Sequence, residues 1–287
     1  MHYVTSKGIL SKNNGMNIYR GCTHGCIYCD SRSDVYSMDH DFEDIEVKEN
    51  SLDLLKKELI KRPKAMIGTG AMSDPYMPIE KHLKYIQRAL KLIDRYSFGF
   101  TCITKSDLIL RDLELLKKIN EKSKVVVQMT LTTADDELSS ILEPHAPPTS
   151  RRVEVLKTLN ENDIPTVVWL CPILPYINDT SDNINKILDY CIDANVYGII
   201  CMGMGMTLRD GNREYFYQKL DEHFPHLKAR YIKKYGNSYS IESPNNEKLM
   251  DIFKKRTVNG GILNNYREIF KYLAEFPQDT YQSKLFI

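Results

Sequence analysis

The sequence has no surplus of charge: 39 lysines and arginines are set against 38 aspartates and glutamates, a formal net charge of +1. That balance excludes a chain-wide electrostatic attraction to nucleic acid and leaves only a local basic groove as a route to it. No apolar run approaches the ~20 residues that cross a bilayer. The opening stretch MHYVTSKGIL lacks the hydrophobic core of a signal peptide. Seven cysteines in 287 residues are too few for a disulfide scaffold. A reducing cytoplasm is therefore the expected setting, and it keeps thiols available for metal. There is no low-complexity tract, no clear linker and no repeat beyond a strand–helix unit. What the chain does have is 42% hydrophobic and 27% charged residues, enough for a full core under a solvated surface.

Apolar strand-like runs alternate with helical patterns. MNIYRG (16–21) predicts a first strand and SLDLLKKELIKR (51–62) its helix. Strands are predicted at 64–70, 98–104, 124–133, 164–173 and 196–205, with helices at 79–96, 108–122, 150–163 and 181–195. Six such units point to an α/β fold whose parallel sheet is closed or partly closed into a barrel. In such barrels the active site lies at the carboxyl ends of the strands. From about residue 211 the strand pattern fades into helices, with YIKKYGNSYSIESPNNEK as a looped interruption. The expected division is a barrel over 1–210 and a helical extension over 211–287.

YRGCTHGCIYCD (19–30) places Cys22, Cys26 and Cys29 on one short loop. Disulfides need pairs, and tetrahedral metal sites usually take four ligands. Three readings of the C-x3-C-x2-C spacing are open: a Cys3His zinc site with His24, a redox pair Cys26/Cys29, and a [4Fe–4S] cluster held by three thiolates. The last leaves one iron free to touch a substrate. The loop follows the first predicted strand, so it falls on the expected active-site face. GTGAMSDPY, TKSD, TLTT, CPILP and MGMGMT fall there as well.

CTHGCIYC, with an aromatic before its last cysteine, resembles the signature of the radical S-adenosylmethionine (SAM) superfamily. The resemblance implies a partial (β/α)6 TIM-type barrel, with a [4Fe–4S] cluster on Cys22, Cys26 and Cys29. It also implies SAM chelated to the open iron and reductively cleaved to a 5′-deoxyadenosyl radical that abstracts a hydrogen atom. The ordered set GTGAMSDPYMPIE, ITKSDLILRD, TLTTADDELSSILEPHAPPTSRR and CPILPYIND is similar to the spore photoproduct lyase-like branch, which is DNA-repair-photolyase-like, over residues 15–210. Carried over by position, Tyr28 would lie against the adenine, and Gly68, Thr69 and Gly70 would expose backbone groups to the methionine amino group. Ser73 and Asp74 would contact the cofactor; Lys105 and Thr130 would hold its carboxylate and ribose. Glu143 and Arg152 form either a structural ion pair or a ligand contact.

The lyase itself carries a cysteine hydrogen donor two residues before the Ser-Asp pair, where this chain has Ala71. Photoproduct reversal is therefore not expected. Cys171 and Cys201, at the ends of two predicted strands, are the candidate donors, whereas Cys102 and Cys191 look structural. With no second cysteine cluster, an auxiliary iron–sulfur centre is not expected. The family-level expectation for substrate is damaged or modified DNA, with RNA, a peptide or a small metabolite as alternatives. The resemblance also implies a reductant such as flavodoxin or ferredoxin. The closing DTYQSKLFI, through Gln282, Leu285 and Phe286, resembles peptides that dock on the DNA polymerase sliding clamp.

Overall fold

Near the amino terminus three short strands, β1 (His2–Val4), β2 (Tyr19–Arg20) and β3 (Glu46–Lys48), form a small sheet in the order β1-β3-β2. The main sheet has five parallel strands in sequence order: β4 (Met66–Thr69), β5 (Gly99–Thr104), β6 (Val125–Thr130), β7 (Thr166–Trp169) and β8 (Gly198–Ile200). This is a computed structural model, and it describes residues 1–277. Every residue of β6 is buried, as expected for a central parallel strand covered on both faces.

The covering helices include α1 (Ser51–Lys61), α2 (Glu80–Leu83), α3 (Tyr85–Arg95), α4 (Leu113–Lys122), α5 (Asp136–Leu142), α6 (Thr149–Glu161) and α7 (Ser181–Asp193). In α3 the buried residues Ile86, Ala89, Leu90 and Ile93 fall on one helical stripe and give the element its inward face. Caps fix where several elements begin. Asp135 accepts from the N–H groups of Glu137 and Leu138, and Thr180 from that of Asn183.

Several expectations are corrected here. The helix expected over 79–96 breaks at Lys84, whose φ is +55°. The buried carboxylate of Glu80 turns onto the start of α3, accepting from Ile86 N–H (3.2 Å) and Gln87 N–H (3.3 Å). A carboxylate at a helix amino terminus opposes the positive end of the dipole. The expected first strand keeps its burial, with Met16 and Ile18 both 1% exposed. Its backbone meets the main sheet only at a bridge between Gly15 and Gly68, and then crosses to β3. The run at 196–205 ends as a strand at Ile200 and resumes as β9 (Gly205–Thr207), leaving a Met-Gly loop between.

The extension contains α8 (Asn212–His223), α9 (Leu227–Tyr235), β10 (Ser240–Glu242), α10 (Asn246–Asn259) and α11 (Tyr266–Ala274). It is thus not wholly helical, because β10 pairs antiparallel with β9. A three-residue strand is too short to register as an alternating pattern. Leu263 also bridges the free edge of β8, accepting from Ile199 N–H at 2.9 Å. Among the described residues no helix is long and apolar enough to cross a membrane.

Candidate active site at the carboxyl end of the sheet

The cysteine loop is pinned from both sides. Cys22 N–H donates to Phe42 O (3.1 Å), Ile27 N–H to Leu142 O (3.0 Å), and His145 N–H to His24 O (3.0 Å). All three thiols are free, with Cys26 buried and Cys22 and Cys29 partly so. Burial pushes the Cys22 thiol up to about 12, helped by the charge of Asp74. Burial also pushes Cys26 up, against the opposing pull of Lys105. Charge on Cys29 raises both Cys22 and Cys26, so the three share one electrostatic neighbourhood. Their sulfurs do not all lie within 4.8 Å of one another. Zinc bonds of ~2.3 Å to sulfur bring tetrahedral thiolates to ~3.8 Å, so this wider triangle suits a multi-iron cluster better than a single ion. His24 is not free to complete a zinc site. Its Nδ1 lies 3.2 Å from His145 O and its Nε2 3.0 Å from Asp74 Oδ2.

Beside the loop is a cavity of about 580 Å³, bounded by the ends of β4 to β8, the Met-Gly loop and β10. Cys26, Tyr28, Cys29, Gly70, Lys105, Thr130 and Cys171 all line it. Gly70 has a φ of +99°, and a Cβ there would overlap Ile103 O and come within 2.7 Å of Ile103 N, so only glycine fits. Tyr28 donates its hydroxyl to Glu143. Glu143 and Arg152 form a fully buried ion pair, and Lys105 Nζ lies 3.9 Å from the same carboxylate. Arg152 is held in turn by Pro147 O (2.8 Å) and Thr130 O (3.2 Å). The choice left open for Glu143 and Arg152 thus resolves to a structural pair, on which Tyr28 and Lys105 are built. Burial works against Glu143 ionising, but Arg152 and Lys105 outweigh it and hold the carboxyl below its usual range.

Other expected residues are not part of the cavity wall. Gly68 spends its backbone in the sheet, accepting from Met16 N–H (2.7 Å) and donating to Asn14 O (3.1 Å). Thr69 sits within β4, paired with Cys102. Ser73 donates to Gly21 O beside the first cysteine. Asp74 is saturated internally, accepting from Tyr76 N–H (2.9 Å), the Thr104 hydroxyl (2.7 Å) and Lys105 N–H (2.8 Å), with His24 beside it. Burial pushes this carboxyl upward, yet His24, Lys105 N–H and Thr104 together lower it to about 2. Ser73 and Asp74 therefore clamp the cysteine loop to the end of β5, and neither lines the cavity. Cys201 is also displaced. Its sulfur faces Gly203 O and Met250, and it lines an adjoining cavity of about 560 Å³ that shares Met202, Gly203 and Glu242 with the first.

Further residues complete the wall. Trp169 Nε1–H donates to Gln128 Oε1 (2.8 Å), and Gln128 Nε2–H donates to Thr101 Oγ1 (2.8 Å). This relay across three strands fixes the indole at the cavity wall. Met202, Met204 and Met206 form another side, and Ser240 to Glu242 of β10 close it. The MGMGM repeat was visible as a strand end, but nothing local announced that residues 240–242 would reach it.

Residues 16–191 match the radical SAM superfamily, more than half of the chain. The chain belongs to the radical SAM superfamily. Its α/β fold, expected from the sequence, is that of the superfamily, and its cofactors are a [4Fe–4S] cluster and SAM. An uncharacterised protein of Methanocaldococcus jannaschii is 37% identical over 166 residues, 57% of this chain and 61% of that one. An uncharacterised protein of Mycobacterium bovis is 27% identical over 228 residues, 77% of this chain and 66% of the relative. The chain thus spans less than two thirds of the length of either. Among solved structures, a spore photoproduct lyase with a dinucleoside spore photoproduct superposes with a TM-score of 0.63 at 14% identity, covering 88% of this chain and 75% of that one. A radical SAM methyltransferase of Kitasatospora setae, with cobalamin and a [4Fe–4S] cluster bound, gives a TM-score of 0.51 at 13% identity, covering 68% and 34%. At these identities the likeness is one of fold.

Proposed function

We propose that Cys22, Cys26 and Cys29 hold the [4Fe–4S] cluster and that SAM occupies the adjoining cavity. The observation that carries this is the shared space. Cys26 and Cys29 open onto the same 580 Å³ volume as Tyr28, Gly70, Lys105 and Thr130, and that size lies within the ~300–1,000 Å³ of small-molecule sites. When bound, the pair supplies reductive cleavage of SAM to methionine and a 5′-deoxyadenosyl radical, which abstracts a substrate hydrogen. The chain's own part is to bind, orient and exclude water. Lys105 offers a cation whose nearest carboxylate among the described residues, Glu143, is 3.9 Å away, leaving donors for the methionyl carboxylate. Tyr28 offers a ring face whose rotation is stopped by its bond to Glu143. Gly70 lets the ligand approach the end of β4 closely.

Cys171 is the proposed hydrogen-return residue. Burial pushes its thiol up to about 12, against Lys105, so the S–H bond is intact at neutral pH and a hydrogen atom is there to donate. Ala71, at the cavity wall, has no such atom. The substrate proposed is a damaged or modified nucleobase in DNA, extruded from the stack to reach the cavity; the photoproduct bound by the superposable lyase supports this class. A small electron-transfer protein of the flavodoxin or ferredoxin kind and a reducing, cytoplasmic setting belong to the same reading. So does a division near residue 210 into a barrel and an extension that closes the cavity through β10. The proposed clamp-docking residues Gln282, Leu285 and Phe286 lie outside the described residues.

The test is anaerobic. The chain is loaded with iron and sulfide, reduced and given SAM, and 5′-deoxyadenosine is quantified. Formation by the wild type, and none by a Cys22→Ala/Cys26→Ala/Cys29→Ala variant, is the expected result. A fully loaded cluster without 5′-deoxyadenosine refutes the reading. Lesion-bearing DNA, RNA and peptides are then ranked by stimulation and by deuterium transfer.

A further inference from the structure

A second group of ligating side chains lies away from the cysteine loop, on the small amino-terminal sheet. His2 on β1, and His40 and Asp44 on the segment before β3, bring one ligand atom each within 4.8 Å of one another, the one such trio among the described residues. The tautomer of His40 is fixed by its surroundings. Nδ1 lies 3.0 Å from Asp41 O, which can only accept, so in the neutral ring Nδ1 carries the proton and Nε2 the lone pair. That Nε2 is buried without a hydrogen-bond partner. Its nearest charged neighbour is Glu46 Oε2 at 3.8 Å, and the His2 ring stands edge-on with centroids 4.8 Å apart.

Ion pairing accounts for only part of the group. Asp44 is served by His2 Nδ1 at 2.9 Å and by the Met1 amine at 2.5 Å. Nothing in that arrangement uses the His40 lone pair, and a buried acceptor left without a partner is costly. A cation with affinity for imidazole resolves it.

We infer that His2, His40 and Asp44 form a binding site for a borderline divalent transition-metal ion such as Zn2+, with Glu46 or water as fourth ligand. Two imidazoles and a carboxylate are a donor set that such ions prefer. Bonds of ~2.0–2.2 Å set tetrahedral ligands ~3.4 Å apart, so atoms within 4.8 Å of one another need draw in by at most ~1.4 Å. His2 and Asp44, with side chains 38% and 40% exposed, have room to do so. The ion's role would be structural. Phe42, between two of the ligands, accepts the Cys22 N–H at 3.1 Å. Binding therefore clamps to β1 the very segment that supports the first cysteine of the loop.

The test uses the full chain, without a histidine tag, carrying its iron–sulfur cluster. After dialysis against buffered Zn2+, zinc and iron are counted per chain by mass spectrometry. About one zinc is expected in the wild type, with zinc affinity at least ~10-fold weaker in His40→Gln and His2→Asn at unchanged iron content. Iron content serves as the folding control, and His2→Asn, at a half-buried strand end, stands in if His40→Gln loses iron. With Co2+ as the probe, the expected spectrum is that of nitrogen and oxygen ligands. No bound zinc in the iron-replete wild type, full zinc in both variants, or a thiolate-to-cobalt charge-transfer band would each overturn the site.

Discussion

Asp74→Asn tests whether this carboxylate is a clamp rather than a cofactor ligand. The substitution keeps the side chain's shape and one accepting oxygen, which can still serve Tyr76 N–H and the Thr104 hydroxyl. It removes the charge beside His24 and turns an amide donor toward Lys105 N–H, where an acceptor stood at 2.8 Å. The electrostatic part follows from the carboxyl being lowered from 3.8 to about 2, which at ~1.4 kcal/mol per pH unit is about 2 kcal/mol of folded-state stabilisation. Stranding the Lys105 N–H adds ~1 kcal/mol or more. The expected loss at pH 7 is therefore about 3 kcal/mol, read by denaturant unfolding of the cluster-free chain under thiol reductant. The sign of the pH dependence is fixed as well. A depressed carboxyl stabilises above its unfolded value and loses that contribution as pH falls through about 4 toward 2. Roughly half of the electrostatic part should be gone by pH 3 in the wild type and unchanged in the variant, so the gap narrows. A gap below ~0.5 kcal/mol at pH 7, or one that stays constant from pH 6 to 3, refutes the clamp.

Arg152→Met leaves the Glu143 carboxylate buried without its main partner and should destabilise by ~3–5 kcal/mol, measured in the same unfolding experiment. Gly70→Ala forces a side chain into the Ile103 backbone, and equilibrium dialysis should show SAM binding weakened at least ~10-fold, a loss of ~1.4 kcal/mol or more. Lys105→Met should raise the KM for SAM by about 10-fold, again ~1.4 kcal/mol, with little change in melting because Tyr28 and Arg152 still satisfy Glu143. Cys171→Ala should leave 5′-deoxyadenosine formation intact while product yield per SAM cleaved falls, as quantified by chromatography of both products. Equal yield in that variant would remove Cys171 from the hydrogen-return step.

The sequence by itself determined the features that depend on near neighbours. Three cysteines within eight positions announce a multi-thiolate site whatever surrounds them. The apolar runs of β5, β6 and β7 follow from β-branched composition and bounding turns, and strand–helix alternation then sets the face on which Lys105, Thr130 and Cys171 emerge. Burial was equally legible, as Met16 and Ile18 show. Only the tertiary structure decided what each buried group is bonded to. Asp74 matches a cofactor-contacting motif, yet the ends of β5 and the cysteine loop saturate it. Gly68 belongs to a glycine-rich strand end, yet the chain at 14–16 takes both its backbone groups. Glu80 breaks a helix that its periodicity predicted whole, and β10 reaches the cavity from a segment with no strand signal. Cys171 and Cys201 look alike as cysteines ending apolar runs, and they lie in different cavities. The physical reason is common to all but Glu80, whose partners Ile86 and Gln87 are near in sequence. Periodicity reports which side of an element leaves water, a local property. A hydrogen-bond partner or a cavity wall is chosen by residues tens to hundreds of positions away, through packing that no local pattern encodes.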